Sequence, residues 1–391
     1  MARSDARARV LVAILVYNGR EFVPACLESV ARMRSEATHD VDVLVLDDCS
    51  PDPGWGEELA GRCRVLDVLC YRSPRNLGIP RNMNLAVLWA LSRSYDHLLL
   101  LNSDVVVPGN LVDVLVEVAR TEPSTGSVTA WSNNASVYSV PNDGSDPFLS
   151  RRDVVDWAAT LLHDEFGAQA LEVPTGVGFC MLVPTGALRH VGLLDPVYGR
   201  GYCEEVDWNL RAGALGYRSL LALGTFVFHR GQGSTIGAGL IGMHQTSDAH
   251  HERILDLRHP QYRSQLVDFV CSGVMPPLKE RGLRALIRGA AREWGYTVEA
   301  TALSRPKEDG AVWFVGDPGE GAMAFTGHFA GFSHRFDVAS DAPLATLVAS
   351  IGRLPDRVAA FERGPHAAAL AEESQRTGVP FLDLASYPER V

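Results

Sequence analysis

No stretch of this sequence approaches the roughly 18 consecutive apolar residues needed to cross a bilayer, so no segment reads as an integral membrane span. A cysteine framework is missing as well. The seven cysteines, Cys26, Cys49, Cys63, Cys70, Cys180, Cys203 and Cys271, are odd in number and show neither CxxC spacing nor a disulfide pattern. A reducing, cytoplasmic setting is the simplest expectation. Positive charge is in deficit: 36 Lys+Arg against 47 Asp+Glu leaves a net charge of −11, which offers no general basic surface for displacing counterions from phosphates. No nucleic-acid partner is expected. The first apolar run, Val10 to Val16, meets Tyr17-Asn18-Gly19 in place of GxGxxG, which removes the nicotinamide-dependent oxidoreductase reading. That run follows an Arg-rich start, Met1 to Arg9, but has no small-residue cleavage pattern after it, so it reads as a strand and not as a signal peptide. Repeats and low-complexity tracts are also lacking.

What is present is a globular composition, 46% apolar and 21% charged, in a chain of 391 residues that exceeds what one core usually supports. Over the first hundred residues, short β-rich runs alternate with amphipathic helical patterns, as in βαβ units around a parallel sheet. The strands are Val10 to Val16, Val41 to Leu46, Val65 to Tyr71 and His97 to Leu101; the helices are Glu21 to Arg34 and Arg81 to Leu91. A helix past Pro108 to about Arg120 and a strand near Val128 continue the series, whereas residues 131 to 170 lose clear periodicity and suit specificity-determining loops. Glu204 to Leu215 is helical, with Val206, Leu210 and Leu215 expected toward the core, and Leu220 to Phe228 is a strand delivering His229. Gly231, Gly233, Gly237, Gly239 and Gly242 then make a loop suited to a lid. The expected division is a larger α/β domain over 1–260, a helical connector over 261–304 and a small or truncated α/β module over 305–391. That module follows a linker, Arg305 to Gly310, and has short strands at Val312 to Val315, Phe336 to Ala339, Val358 to Phe361 and Phe381 to Leu384, with a helix at His366 to Arg376.

Several strands finish in polar residues, and in open α/β sheets the carboxyl ends of strands line the ligand crevice. In order, the segments VLVAILVYN, VLDDCS, RNLGIPRNMN, LLLLNSDVVVP, PTGVGFCMLV, GYCEEVDWNLRAGALGYR and FHRGQGS resemble those of family 2 glycosyltransferases, in particular rhamnosyltransferase-like and galactofuranosyltransferase-like members. The resemblance covers residues 10 to about 235. It implies a GT-A fold, a Rossmann-like mixed and mostly parallel sheet, and an inverting transfer of a sugar from a nucleoside-diphosphate donor to a hydroxyl-bearing acceptor. Asp47 then matches the carboxylate that meets the nucleotide base, with Val16, Tyr17, Asn18 and Asn76 lining the same pocket. An ionised carboxylate only accepts hydrogen bonds and so suits the imide N–H of uracil or thymine, favouring UDP- or dTDP-sugars; by itself, Asp47 or Asp48 would read as a cap or turn residue.

Asn102-Ser103-Asp104 matches the DXD position with its first aspartate replaced, leaving Asp104 as the metal-binding carboxylate beside the diphosphate, and His229 matches the histidine that completes the site. Mn2+ or Mg2+ is the implied cofactor, imidazole slightly favouring manganese. Arg81, at a helix start, reads equally as a phosphate contact and as a surface arginine. Glu205 matches the general base and Glu204 is its rival, while Asp207 sits four residues from Arg211 at ion-pair spacing. Glu204, Asp207, Trp131 and Trp208 are candidates for acceptor or sugar contact, the two tryptophans reading equally as core. His244, His250, His251 and His259 lack fixed ligand spacing and read as surface. A non-catalytic nucleotide-sugar sensor or scaffold is the alternative function. Homo-oligomerisation and peripheral membrane association stay open.

Overall fold

The apolar segment that opens the chain does not alternate, the pattern of a strand buried on both faces, and in the structure it lies between two parallel neighbours. The structure, a computed structural model, describes residues 6–122, 124–140, 147–231, 249–300, 311–317, 324–361 and 365–384. They fall into two compact units, residues 1–142 with 150–275, and residues 143–149 with 276–391. The linker at 305–310 and the glycine-rich stretch from Gly233 to Gly242, with His244, lie outside the described residues.

In the first unit the chain runs β1 (Arg9–Val16), α1 (Val23–Glu36), β2 (Asp40–Asp47), α2 (Trp55–Val65), β3 (Leu69–Arg72), α3 (Ile79–Ser92), β4 (His97–Asn102), β5 (Val105–Val106), α4 (Leu111–Thr121) and β6 (Thr125–Ser132). It continues through α5 (Arg152–Phe166), β7 (Ala170–Val173), β8 (Cys180–Pro184), α6 (Thr185–Val191), α7 (Glu204–Ala214), β9 (Arg218–His229), α8 (Ala249–Arg258) and α9 (Tyr262–Cys271). These strands make a nine-stranded sheet in the order β3-β2-β1-β4-β8-β6-β9-β5, with β7 also paired to β9. The half from β3 to β4 is parallel, and β8 enters antiparallel between β4 and β6. This is the expected mixed α/β sheet.

The differences from the sequence reading have physical causes. Val65 ends helix α2 instead of opening a strand, because the helix begins at Trp55 and buries Trp55, Leu59 and Cys63 at helical spacing. Residues 131–170 are not all irregular. Two short 3-10 turns precede α5, whose buried Val154, Val155, Ala158, Ala159 and Leu162 carry a helical period that is diluted when the turns are read together with it. On α7, Leu210 is buried and Val206 packs beside it as expected, but Asp207, Trp208 and Asn209 are buried as well, and Leu215 is 48% exposed.

The second unit holds α10 (Met275–Trp294), β10 (Thr297–Ala300), β11 (Trp313–Asp317), β12 (Ala324–Phe329), β13 (Phe332–Asp337), α11 (Pro343–Ile351), β14 (Arg357–Ala360), α12 (Pro365–Thr377) and β15 (Phe381–Asp383). Its six-stranded sheet has the order β13-β12-β11-β10-β14-β15, parallel from β11 to β15 with an antiparallel hairpin at one edge. Phe314, Phe325, Phe329, Phe332, Leu344 and Leu347 are buried in it. The stretch expected as a connector is shared, α9 going with the first unit and residues from 276 with the second.

Candidate active site

Three strand ends and one helix start deliver the polar residues of the first unit to a single cavity of about 570 Å3. Its wall takes Val16 and Tyr17 from the end of β1, Asn102 and Ser103 from the end of β4 with Asp104 just beyond, His229 from the end of β9, and Glu204 and Glu205 from the first turn of α7; Asn76, ahead of α3, lines it too. Residues far apart in the chain meet because β5 runs antiparallel to β9, with Val105 opposite His229, and the Arg230 amide donates to the Asp104 carbonyl at 2.9 Å.

The Asp104 and His229 side chains form a pair. His229 Nδ1 lies 2.7 Å from the Asn134 carbonyl, which can only accept, so Nδ1 carries the proton and Nε2 of the neutral ring presents a lone pair. That Nε2 stands 3.4 Å from Asp104 Oδ1 and 3.4 Å from Asn102 Nδ2. Phe179 stacks on the imidazole with ring centroids 4.9 Å apart. Burial opposes charge on both partners, yet each stabilises the other's ionised form, leaving Asp104 below the ordinary carboxylate range and His229 above the ordinary imidazole value. One carboxylate oxygen and one imidazole nitrogen, the latter fixed in tautomer by a backbone carbonyl, fit a hard or borderline divalent ion. Among the described residues no group of three His, Cys, Asp or Glu side chains stands together, so phosphate and water would have to complete the coordination.

The acidic pair is presented by a turn in which Tyr202 and Cys203, both non-glycine, have φ of +74° and +76°. Such conformations persist only where surrounding contacts enforce them, and they cluster at functional sites. His251 braces this turn through Nδ1, 2.9 Å from the Gly201 carbonyl. One oxygen of Glu204 and one of Glu205, Oε2 in each, is buried without a hydrogen-bond partner. Burial raises both carboxyls, and the charge of Glu205 pushes Glu204 up further, well above the ordinary value. Burial and the neighbouring charge therefore favour the protonated form of Glu204 more strongly than that of Glu205.

A stability prediction follows from the sign of that shift. A carboxyl raised in the folded state binds its proton more tightly than in the unfolded chain, so the fold loses stability as pH climbs from about 4.3 through the raised value. Thermal denaturation of Glu204→Gln should show a higher Tm than the native protein at pH 8, with the two curves converging toward pH 4. A lower Tm for the variant at pH 8 would mean that the ionised Glu204 carboxylate is held by favourable partners.

Other expected site residues lie elsewhere. Trp131, 1% exposed on β6, and Trp208, whose Nε1 donates to the Gly192 carbonyl at 2.9 Å, are core side chains with no ring face open to a sugar. Asp207, also expected near the sugar, is 0% exposed and pairs with Arg211 at 2.9 Å, His259 at 3.0 Å and Arg258 at 3.4 Å, tying α7 to α8 and its following turn. Asp47 sits behind the wall, accepting from the Ser50 amide at 3.0 Å and the Ser50 hydroxyl at 2.5 Å and pairing with Arg72. Asn18 and the exposed Arg81 do not line the cavity either; the Asn18 amide donates to Ser50 Oγ at 2.7 Å.

Asp48, next to Asp47, lines the cavity and accepts from the amides of Leu77 at 2.7 Å and Gly78 at 2.9 Å. Gly78 has φ of +80°, and a Cβ there would overlap the Gly199 carbonyl. Gly78→Ala is therefore expected to cost about 3 kcal/mol, read as a lowered urea midpoint, through strained backbone and forced separation of the two loops. An unchanged midpoint would show that these loops are not packed as described.

Asn133 was not foreseen. Its Oδ1 accepts the His229 amide at 2.7 Å while its Nδ2 donates to the His229 carbonyl at 3.0 Å, so it fixes the backbone beneath the imidazole. The signal available was the Asn133-Asn134 pair just past β6, in a stretch without clear periodicity. Arg200, exposed on the cavity rim, carried no motif.

The family model for glycosyl transferase family 2 matches residues 11–192. An undecaprenyl-phosphate mannosyltransferase from Micrococcus luteus is 27% identical over 237 residues, covering 60% of this chain and 90% of that protein. Among solved structures, GalNAc-T7 with UDP, GalNAc and Mn2+ aligns with a TM-score of 0.44 at 15% identity, over 58% of this chain and 44% of that one. The mannosyltransferase PcManGT from Pyrobaculum calidifontis, in complex with GDP-Man and Mn2+, aligns with a TM-score of 0.42 at 15% identity, over 77% and 78% of the two chains.

Proposed function

The chain carries a glycosyl transferase family 2 domain, and from that premise we propose that it transfers a sugar from a nucleoside diphosphate to an acceptor hydroxyl with inversion at the anomeric carbon. The observation that supports this most is the presence of Asp104, His229 and Glu205 on one cavity wall. Asp104 and His229 would hold a divalent ion, Mn2+ or Mg2+, whose charge offsets that developing on the departing diphosphate. In this reading Val16, Tyr17, Asn76 and Asp48 on the cavity wall would meet the nucleoside, and Asn102 and Ser103 the phosphates.

Glu205 takes the proton of the acceptor hydroxyl as its oxygen attacks the anomeric carbon. The bond from that carbon to the diphosphate oxygen breaks, and its electron pair leaves with the nucleotide. One base and one displacement invert the configuration. The raised position of Glu205 brings its proton affinity closer to that of a useful base at neutral pH.

Among the described residues no helix is long and apolar enough to cross a membrane, and the name of the Micrococcus luteus relative makes association with a membrane surface compatible with this reading. The test is a panel of UDP-, dTDP- and GDP-sugars with Mn2+, scored by acceptor-dependent release of nucleoside diphosphate and by the anomeric coupling constant of the product in proton NMR. Release with inverted product is expected. Retention would overturn the single-displacement mechanism, and nucleotide binding without turnover on any acceptor would favour a sensor or scaffold role.

A further inference from the structure

Resting on the transfer reading above, we propose that Glu204 recognises the acceptor, and that the acceptor is an electrically neutral carbohydrate presenting hydroxyls to the Glu204–Glu205 pair, not a phosphate. Glu204 is 4% exposed, lies on the cavity wall, and keeps its Oε2 without a partner; Glu205 Oε2 is in the same condition. Buried polar atoms are almost always hydrogen-bonded, so two adjacent orphans beside a ligand-sized cavity indicate partners that arrive with the ligand. A sugar hydroxyl both donates and accepts, and so satisfies a proton-bearing carboxyl and an ionised one alike.

The charges around this end of the cavity separate neutral from anionic acceptors. Arg263, on the same wall, is committed to Asp256 at 2.8 Å and Glu252 at 3.6 Å, and the Tyr138 hydroxyl to the Thr175 carbonyl at 2.9 Å. A phosphate acceptor would therefore approach the Glu205 carboxylate in a low-dielectric site with the Arg263 guanidinium already neutralised, and like charges repel strongly there. Leu255, Tyr262 and Leu266 complete the wall with apolar surface that suits the C–H face of a sugar ring. Because burial and the neighbouring Glu205 raise Glu204 and so favour its neutral form, an amide at this position should imitate it, while a methyl group should not.

The experiment compares acceptors and variants in the full-length protein with Mn2+ and the donor panel. Acceptor-dependent nucleotide release is measured with a set of methyl glycosides and, separately, with undecaprenyl phosphate. Glycosides should stimulate release and undecaprenyl phosphate should not. Glu204→Ala should raise the acceptor KM about tenfold or more, the loss of one or two buried hydrogen bonds, without changing the affinity for Mn2+ and nucleoside diphosphate, and Glu204→Gln should restore most of the acceptor affinity. Should Glu204→Ala fail to fold, Glu204→Gln and the comparison of acceptors on the native protein decide the matter. Stimulation by undecaprenyl phosphate and not by glycosides, or an unchanged acceptor KM in Glu204→Ala, overturns the assignment while the transfer reading stands. Absence of release with every donor and acceptor overturns the transfer reading, and this assignment with it.

Discussion

Glu205→Gln is expected to lower kcat by about 10²–10⁴-fold, the usual worth of a positioned general base, while donor KM stays close to that of the native protein. The amide matches the carboxylate in volume and keeps an accepting oxygen, so the substitution removes proton affinity and little else. The pH profile gives a second reading. Burial raises Glu205, so the acid limb of kcat/KM in the native protein should lie above the ordinary glutamate value of about 4.3 and should be absent from the residual activity of the variant. Activity is present above the raised value and lost as pH falls through it. Steady-state release of nucleoside diphosphate across pH checks both statements, and full activity in Glu205→Gln would remove Glu205 from the mechanism. Glu204→Gln serves as the contrast, because burial and the Glu205 charge push Glu204 further above the ordinary carboxylate range than Glu205.

The second large effect is expected at Asp104. Asp104→Asn keeps the shape of the side chain but deletes the one carboxylate set against His229 Nε2, so Mn2+-dependent turnover should fall by about 10³-fold, equivalent to about 4 kcal/mol of lost charge stabilisation. Nucleoside diphosphate binding, followed by calorimetry with and without Mn2+, separates this from misfolding: the metal-dependent part of the affinity should disappear in the variant and the metal-independent part should remain. His229→Ala should show the same signature with a smaller loss, since phosphate oxygens and water can take over a vacated position more readily than they can replace a negative charge. Unaltered metal-dependent affinity in Asp104→Asn would place the metal elsewhere.

Much of the catalytic unit was legible because its strands are apolar runs that end abruptly in polar residues. β1 stops at Tyr17, β4 at Asn102 and β9 at His229, and the crevice rule for α/β sheets turns those endings into a site. What the sequence could not display was the connection between them. The two-residue strand β5 sets Asp104 against His229 through antiparallel pairing with β9, and two residues carry no periodicity.

Orientation was the other gap. Trp131 and Trp208 face inward and Glu204 and Glu205 line a cavity, but a residue's type does not reveal which side of a strand or helix meets the core when polar residues such as Asp207 and Asn209 are buried too. Asp47 and Asp48 show the same limit on a finer scale. Adjacent aspartates at a strand end point in different directions, and only the geometry assigns one to Arg72 and Ser50 and the other to the cavity.

X-ray anomalous scattering from crystals of the protein soaked with Mn2+ and UDP, or dTDP in a parallel soak, tests the convergence most directly. The account predicts a manganese peak bound by Asp104 and His229 Nε2, with the diphosphate in the cavity that Glu205 lines. A peak on other residues, or a nucleotide bound outside that cavity, would contradict it.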